Sequence, residues 1–190
     1  KKVNDWFDIS TLKEPFRVEG KKTLGYEIAE QLGWRFPDVV VYETGGGTGL
    51  IGMWKAFVEI KSMGWVNDPL PRMVAAQSTG CAPVVKAFQE RQRDTDFWEN
   101  SDTVALGLNV PGPLGGAWIL DILRESKGIA IMIDEQRLKA LTEEFNNLTS
   151  INSSDEGGVV WGAYSHLKKV GWIKPKERSV IFATGIERIK

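Results

Sequence analysis

The chain of 190 residues holds one cysteine and one histidine, and its first residue is Lys1 rather than Met. With Cys81 alone, no internal disulfide can form, and a reducing compartment, the cytoplasm, is expected. No His/Cys/Asp cluster has metal-ligand spacing, so no metal is expected. No apolar run approaches the length of about 20 residues that spans a bilayer, and no signal peptide is visible. Neither sign of charge is in excess: 24 basic and 25 acidic residues give a net charge of -1. Neither nucleic acid nor an acidic membrane is therefore expected as a partner. What is present is 42% hydrophobic and 26% charged residues, the balance of a globular protein able to bury a core.

Periodicity organises that material. Residues 1–19 carry little of it and contain Pro15, so they read as a loop or linker with a turn near Ser10 to Leu12. A domain is expected over 20–190. Leu24, Ile28 and Leu32 recur at helical spacing before Gly33. Val39 to Tyr42 reads as a buried strand, and residues 48–62 as a helix with Leu50, Ile51, Trp54, Phe57 and Val58 inward. Met73 to Gln77 is a second strand. Pro83 then opens a helix running to about Arg91, a position where its missing N–H costs nothing. Thr103 to Leu106 is expected as a short strand and Gly107 to Gly116 as a loop. Residues 116–126 form a helix with Trp118, Ile119, Ile122 and Leu123 on one face. Ile129 to Ile133 is a strand, and Asp134 caps a helix that turns Leu138, Leu141, Phe145 and Leu148 inward. After an Asn- and Ser-rich loop, residues 157–170 are helical with Val160, Ala163, Leu167 and Val170 in line, and Ser179 to Ala183 is the last strand. Alternation of strand and helix gives an α/β fold of three layers: a mostly parallel twisted sheet with helices on both faces. Ligands of such sheets bind beyond the carboxyl ends of the strands.

One such end carries Glu43-Thr44-Gly45-Gly46-Gly47-Thr48-Gly49-Leu50-Ile51-Gly52. A glycine-rich turn between strand and helix presents several N–H groups to one point, and the helix adds its unpaired N–H groups and dipole. Three ligand classes use such a loop. Gly47, Gly49 and Gly52 satisfy the dinucleotide spacing, but the next strand ends Gln77-Ser78-Thr79 without the acid that would hold a ribose. A nucleoside triphosphate calls for Gly-Lys-Ser/Thr, and here Gly49 is followed by Leu50 and Ile51. A phosphate monoester needs only backbone N–H groups and the Thr44 and Thr48 hydroxyls. Pyridoxal phosphate is such a ligand. The bland alternative is that the glycines serve tight strand–helix packing.

The loop and its flanks resemble threonine synthase, a pyridoxal-phosphate enzyme of the tryptophan-synthase-β class. The resemblance runs from about Glu14 to Thr184. It is carried by Phe16 to Thr23, Tyr26 to Leu32, Thr44 to Phe57, Gly80-Cys81-Ala82-Pro83, Gly107 to Pro111, and Thr184-Gly185. It implies the large-domain portion of fold type II, the cofactor pyridoxal 5'-phosphate, and a small-molecule substrate, O-phospho-L-homoserine, converted with water to L-threonine and phosphate. A homodimer is the candidate assembly. Carried over by position, Gly45, Gly46, Gly47, Thr48 and Gly49 would hold the cofactor's phosphate, and the Thr184 hydroxyl would meet its ring nitrogen. Lys13, Lys21, Lys22, Lys55, Lys61, Lys86, Lys127 and the C-terminal lysines all lack the motif of the family's cofactor-bonded lysine. The resemblance thus covers the C-terminal portion alone, no catalytic residue is assigned, and these residues by themselves are expected to be inactive. Serine or threonine dehydratases share the loop and form the alternative within the class. A non-catalytic phosphate- or cofactor-binding module is the alternative outside it.

Of the remaining polar residues, His166 is expected to be structural and partly exposed, and Cys81 buried. The resemblance would place Glu156 near the cofactor; a helix N-terminal charge is the simpler reading. Trp34, Trp65 and Trp172 each follow a glycine and are expected to cover helix ends.

Overall fold

The computed structural model describes residues 6–186. Strands β1 (Val39–Glu43), β2 (Arg72–Ser78), β3 (Ile129–Ile133) and β4 (Ser179–Ile181) form one sheet in the order β3-β2-β1-β4. All three pairings are parallel, with Val41 opposite both Val74 and Ile181. β1 and β2 are the inner strands, and Val39, Val40 and Val41 are fully buried. Burial on both faces explains why β1 reads as an unbroken apolar run rather than an alternating one.

Successive residues of these strands feed two different cores. Val40, Met73, Ala75 and Ala130 point into one cluster, with Leu50, Ile51, Phe57, Val85, Ile119 and Leu123. Those partners belong to α2 (Thr48–Ser62), α3 (Pro83–Gln89) and α4 (Gly116–Glu125), and α1 (Phe16–Gln31) adds Val18 and Ile28. Val39, Val41, Val74 and Ala76 point the other way, onto Leu141 of α5 (Leu138–Thr149) and Val159, Val160 and Ala163 of α6 (Asp155–Lys169). The period-two alternation of strand side chains therefore builds the three layers.

Helix α1 begins inside the segment 1–19 that was expected as a loop or linker. Pro15 stands at its N-cap, and the Glu14 carboxylate accepts the N–H of Phe16 at 2.5 Å and of Arg17 at 3.3 Å. These contacts replace the cap that the local sequence does not advertise. Ahead of it the expected turn is present, closed by Lys13 N–H to the Ser10 carbonyl at 3.0 Å. The third glycine of the dinucleotide-like spacing serves packing: a Cβ on Gly52 would lie 2.6 Å from Lys21 Cβ, and one on Gly25 2.7 Å from Ala56 Cβ. Glycines thus let α1 and α2 approach backbone to backbone.

Other expectations need correction. Thr103 to Leu106 forms no strand; the chain is irregular there and enters a 3-10 turn over Leu106–Leu108, with the Glu135 carboxylate accepting Val104 N–H at 2.6 Å. Val58, Trp118, Leu148 and Val170, placed on inward faces, are exposed. Val58, Trp118 and Leu148 flank their helices' apolar stripes, where a spacing rule cannot tell rim from core, and Val170 is the C-cap beyond the end of α6. Asp134 does cap, accepting Gln136 N–H at 3.1 Å, but it opens a 3-10 turn over Glu135–Arg137 that precedes α5. The three Gly-Trp pairs do end helices. Gly33, Gly64 and Gly171 have φ of +71°, +71° and +74°. The following Trp34, Trp65 and Trp172 donate N–H to the carbonyls of Ala29, Ile60 and Leu167 at 2.7, 3.1 and 2.9 Å. Among the described residues no helix is long and apolar enough to cross a membrane.

Candidate functional site

The site lies where β1 and β4 end side by side. Thr44, directly after β1, is fully buried and clamped. Its N–H donates to the Ala76 carbonyl at 2.9 Å, and its carbonyl accepts from Gln77 Nε2 at 2.9 Å. The other end of the Gln77 amide accepts the Val84 and Val85 N–H groups at 2.9 and 3.1 Å, at the start of α3. The Thr44 hydroxyl donates back to the Tyr42 carbonyl at 3.0 Å. It is therefore engaged within the strand, unlike the ligand-facing donor expected from the sequence.

Beyond Thr44 the glycines differ in what they face. A Cβ on Gly45 would lie 2.7 Å from the Gly107 carbonyl oxygen and 3.0 Å from Val110 Cγ2. One on Gly47 would lie 2.2 Å from Ile119 Cδ1, and one on Gly49 2.1 Å from the Tyr42 hydroxyl. Close packing accounts for these three positions. Gly46 is different: it is half-buried, and a Cβ there would meet only Thr11 Cγ2 at 3.4 Å. Gly47 is also the N-cap of α2, at φ +82° and ψ -1°, a conformation open to glycine and strained for other residues. Among the described residues no side chain caps the helix, and its first turn, opened by half-buried Thr48, contains no acid. The first-turn N–H groups therefore have no partner within the helix, and no acid of that turn meets the positive end of its dipole.

Thr184 reaches the same place from β4. Phe182 N–H donates to the Val41 carbonyl at 3.3 Å, which carries the parallel pairing past the end of the strand. Two residues on, the Thr184 hydroxyl donates to Oε1 of Glu43, the last residue of β1. Glu43 is 4% exposed, and its Oε2 is buried without a hydrogen-bond partner among the described residues. Burial pushes its carboxyl up to about 7; the Thr184 hydroxyl opposes the rise and the negative charge of Glu156 adds to it. Glu156, in the first turn of α6, accepts Gly107 N–H at 2.6 Å and is bonded by the Ser154 hydroxyl. It is thus more than a helix-end charge, because it fixes the loop that packs on Gly45.

The expected phosphate ligands Gly45, Gly46, Gly47, Thr48 and Gly49 come from one loop, and the fold brings Thr184 to the same sheet end. Sequence reading missed Glu43 and Gln77 as site-building residues. A signal existed for both: each is a polar side chain at the end of a buried apolar strand, where burial demands a partner. Cys81 is buried, which pushes its thiol up, and His166 is exposed on α6.

A family model described as pyridoxal-phosphate dependent enzyme matches residues 1–185. The chain belongs to this family. Among curated proteins it is 30% identical over 171 residues to the threonine synthase of Methanocaldococcus jannaschii, an alignment covering 90% of this chain and 42% of that protein. Threonine synthase of Methanosarcina acetivorans is 31% identical over 171 residues, with the same coverage of 90% and 42%. Among solved structures the fold matches the processed form of threonine deaminase isoform 2 from Solanum lycopersicum. The TM-score is 0.71 at 20% identity, covering 92% of this chain and 47% of that one. The chain spans less than half the length of these curated relatives.

The family's cofactor is pyridoxal 5'-phosphate, and the residues present fit it. The uncapped start of α2 and the open side of Gly46 suit a phosphate monoester. The loop from Glu43 to Leu50 holds no lysine or arginine, so dipoles and N–H groups would carry the phosphate. The carboxylates Glu43 and Glu156 lie on the Thr184 side, where a basic ring nitrogen is better placed than an anion.

Proposed function

We propose that this chain is the C-terminal portion of a threonine synthase, a cytoplasmic lyase that converts O-phospho-L-homoserine and water to L-threonine and phosphate. The observation that carries the reading is the uncapped N-terminus of α2 behind Gly45 to Gly47, with Thr184 at the adjoining strand end. The identity to two threonine synthases supports the choice of reaction. In this reading the elements from α1 onward make up the domain that binds the cofactor's phosphate, and the lysine that bonds the cofactor is supplied by residues outside this chain.

Within the site, the N–H groups of Gly45, Gly46, Gly47, Thr48 and Gly49 and the Thr48 hydroxyl would hold the phosphate. Tyr42 supports that loop from below, its hydroxyl lying where a Gly49 side chain would begin. The Thr184 hydroxyl would face the ring nitrogen. When bound, the cofactor supplies an electron sink for negative charge on the substrate. A neutral hydroxyl holds a ring-nitrogen proton less firmly than an aspartate would, which moderates that sink.

The test uses the full-length protein. Incubation with pyridoxal 5'-phosphate should give a visible absorbance band, and O-phospho-L-homoserine should then yield threonine and phosphate in equal amounts. Release of ammonia and a 2-oxo acid from threonine or serine, without action on the phosphorylated substrate, would overturn the synthase in favour of a dehydratase. No cofactor band would overturn the site reading itself.

A further inference from the structure

We propose that Glu43 is a positioning residue that sets, through the Thr184 hydroxyl, whether the cofactor's ring nitrogen meets a hydrogen-bond acceptor or a donor. The inference rests on the reading of Thr184 given under the proposed function.

The geometry allows two arrangements of one proton chain. With Glu43 ionised, the Thr184 hydroxyl donates to its carboxylate, as found. The hydroxyl's single proton is then committed, and only its lone pairs face the ligand. It accepts from a ring nitrogen that carries a proton. With Glu43 protonated, the carboxylic acid donates to the Thr184 oxygen. The hydroxyl proton is then free to point at a ring nitrogen that carries none. Switching between the two moves protons without any co-reactant.

Among the described residues the Thr184 hydroxyl is the side chain bonded to the Glu43 carboxyl. Glu43 is 4% exposed, it follows the buried run Val39 to Val41, and Oε2 lacks any partner among the described residues. Among the described residues no basic side chain is among the groups acting on it. The titratable groups that do bear on it are Glu156, from the first turn of α6, and Tyr42, its neighbour on β1. Burial raises its carboxyl to about 7, which makes Glu43 a seat that can compete for a proton rather than a fixed charge. The Tyr42 hydroxyl, pushed up to about 12 by burial and by the Glu43 charge, stays protonated near neutrality.

The test follows the ring nitrogen directly. Full-length protein is loaded with pyridoxal 5'-phosphate labelled with nitrogen-15 in the ring, and the resonance is recorded across the neutral range. Wild type should show the resonance drawn toward the protonated position, because Glu43 and the ring nitrogen share one proton through Thr184. Glu43→Gln should leave the resonance near the unprotonated position throughout, because the charge that favours a ring proton is gone. A Glu43→Gln resonance at the wild-type position across the range overturns the proposal. Thr184→Ala separates the two layers of the argument. If it moves the resonance while Glu43→Gln does not, the ring-nitrogen contact stands and the Glu43 role fails; if it moves nothing, both fail. Should Glu43→Gln not fold, carboxyl-stretch infrared spectra of wild type and Thr184→Ala replace it. Adding cofactor should shift the buried-acid band in wild type and leave it in Thr184→Ala, and an unchanged wild-type band overturns the proposal.

Discussion

Replacing Gly47 with alanine tests the loop where its demands are most explicit. Two costs follow from the geometry. The backbone at φ +82° is left-handed, which costs a residue with a Cβ about 1–2 kcal/mol. The new methyl would also lie 2.2 Å from Ile119 Cδ1 and 2.7 Å from its Cγ1. Ile119 is fully buried and packed, and forcing it aside costs about 1–3 kcal/mol. The sum is about 2–5 kcal/mol, which for a domain of this size lowers the melting midpoint by about 5–20 °C. Far-UV circular dichroism of cofactor-free protein measures it. A second substitution identifies the cause. Ile119→Val removes the Cδ1 atom at a cost of about 0.5–1.5 kcal/mol by itself. In the double mutant the combined loss should fall short of the separate losses by about 1 kcal/mol, since the clash is partly relieved. Strict additivity, or a Gly47→Ala midpoint within about 1 °C of wild type, would refute the account.

Three further outcomes are expected. Gly46→Asp, at the open glycine, should leave the fold intact yet weaken pyridoxal 5'-phosphate binding at least about tenfold by setting a carboxylate at the phosphate's place; unchanged affinity in a cofactor titration removes the cradle. Glu43 is raised from 4.5 to about 7, so the folded state holds its proton more tightly than the unfolded one. Its contribution to stability is greatest below about 4.5 and is lost as pH rises through about 7, a change on the order of 3 kcal/mol. Urea unfolding of cofactor-free protein should show that slope in wild type and a flatter one in Glu43→Gln; equal slopes would refute it. Arg72 donates to the Trp172 carbonyl at 3.1 Å and to Glu177 at 2.6 Å, with its guanidinium 4.0 Å from the Trp172 ring centre. Arg72→Lys keeps the charge but not the fork, so a loss of about 1–2 kcal/mol in urea unfolding is expected, and no loss would show the contacts to be idle.

The sheet was legible because burial on both faces leaves an unmistakable mark: Val39 to Tyr42 and Ile129 to Ile133 read as strands within a residue of their observed ends. Helix faces were legible at their centres, as at Leu50, Ile119 and Leu141, and not at their edges. Val58 and Leu148 are apolar yet exposed, and spacing carries no information about where a neighbour stops. The start of α1 was hidden because its cap is an unusual one, Glu14 reaching over Pro15. At the site, the loop announced itself through local composition. The partners that fix it come from residues distant in sequence: Gln77 on Thr44, Thr184 on Glu43, Glu156 on Gly107. No local pattern specifies such pairs, although a polar residue at a buried strand end shows that one must exist.

The clamp at Gln77 joins three pieces of chain through one amide. Its NH2 holds the carbonyl before the glycine loop, and its oxygen holds two N–H groups at the head of α3. An opening of α3 leaves a buried acceptor stranded, and an opening of the loop leaves a buried donor stranded. Loop and helix therefore unlock together as one cooperative unit. Whatever grips the loop from outside steadies α3 as well, and the amides of Val84 and Val85 become remote reporters of occupancy, slowing their hydrogen exchange when the phosphate site is filled.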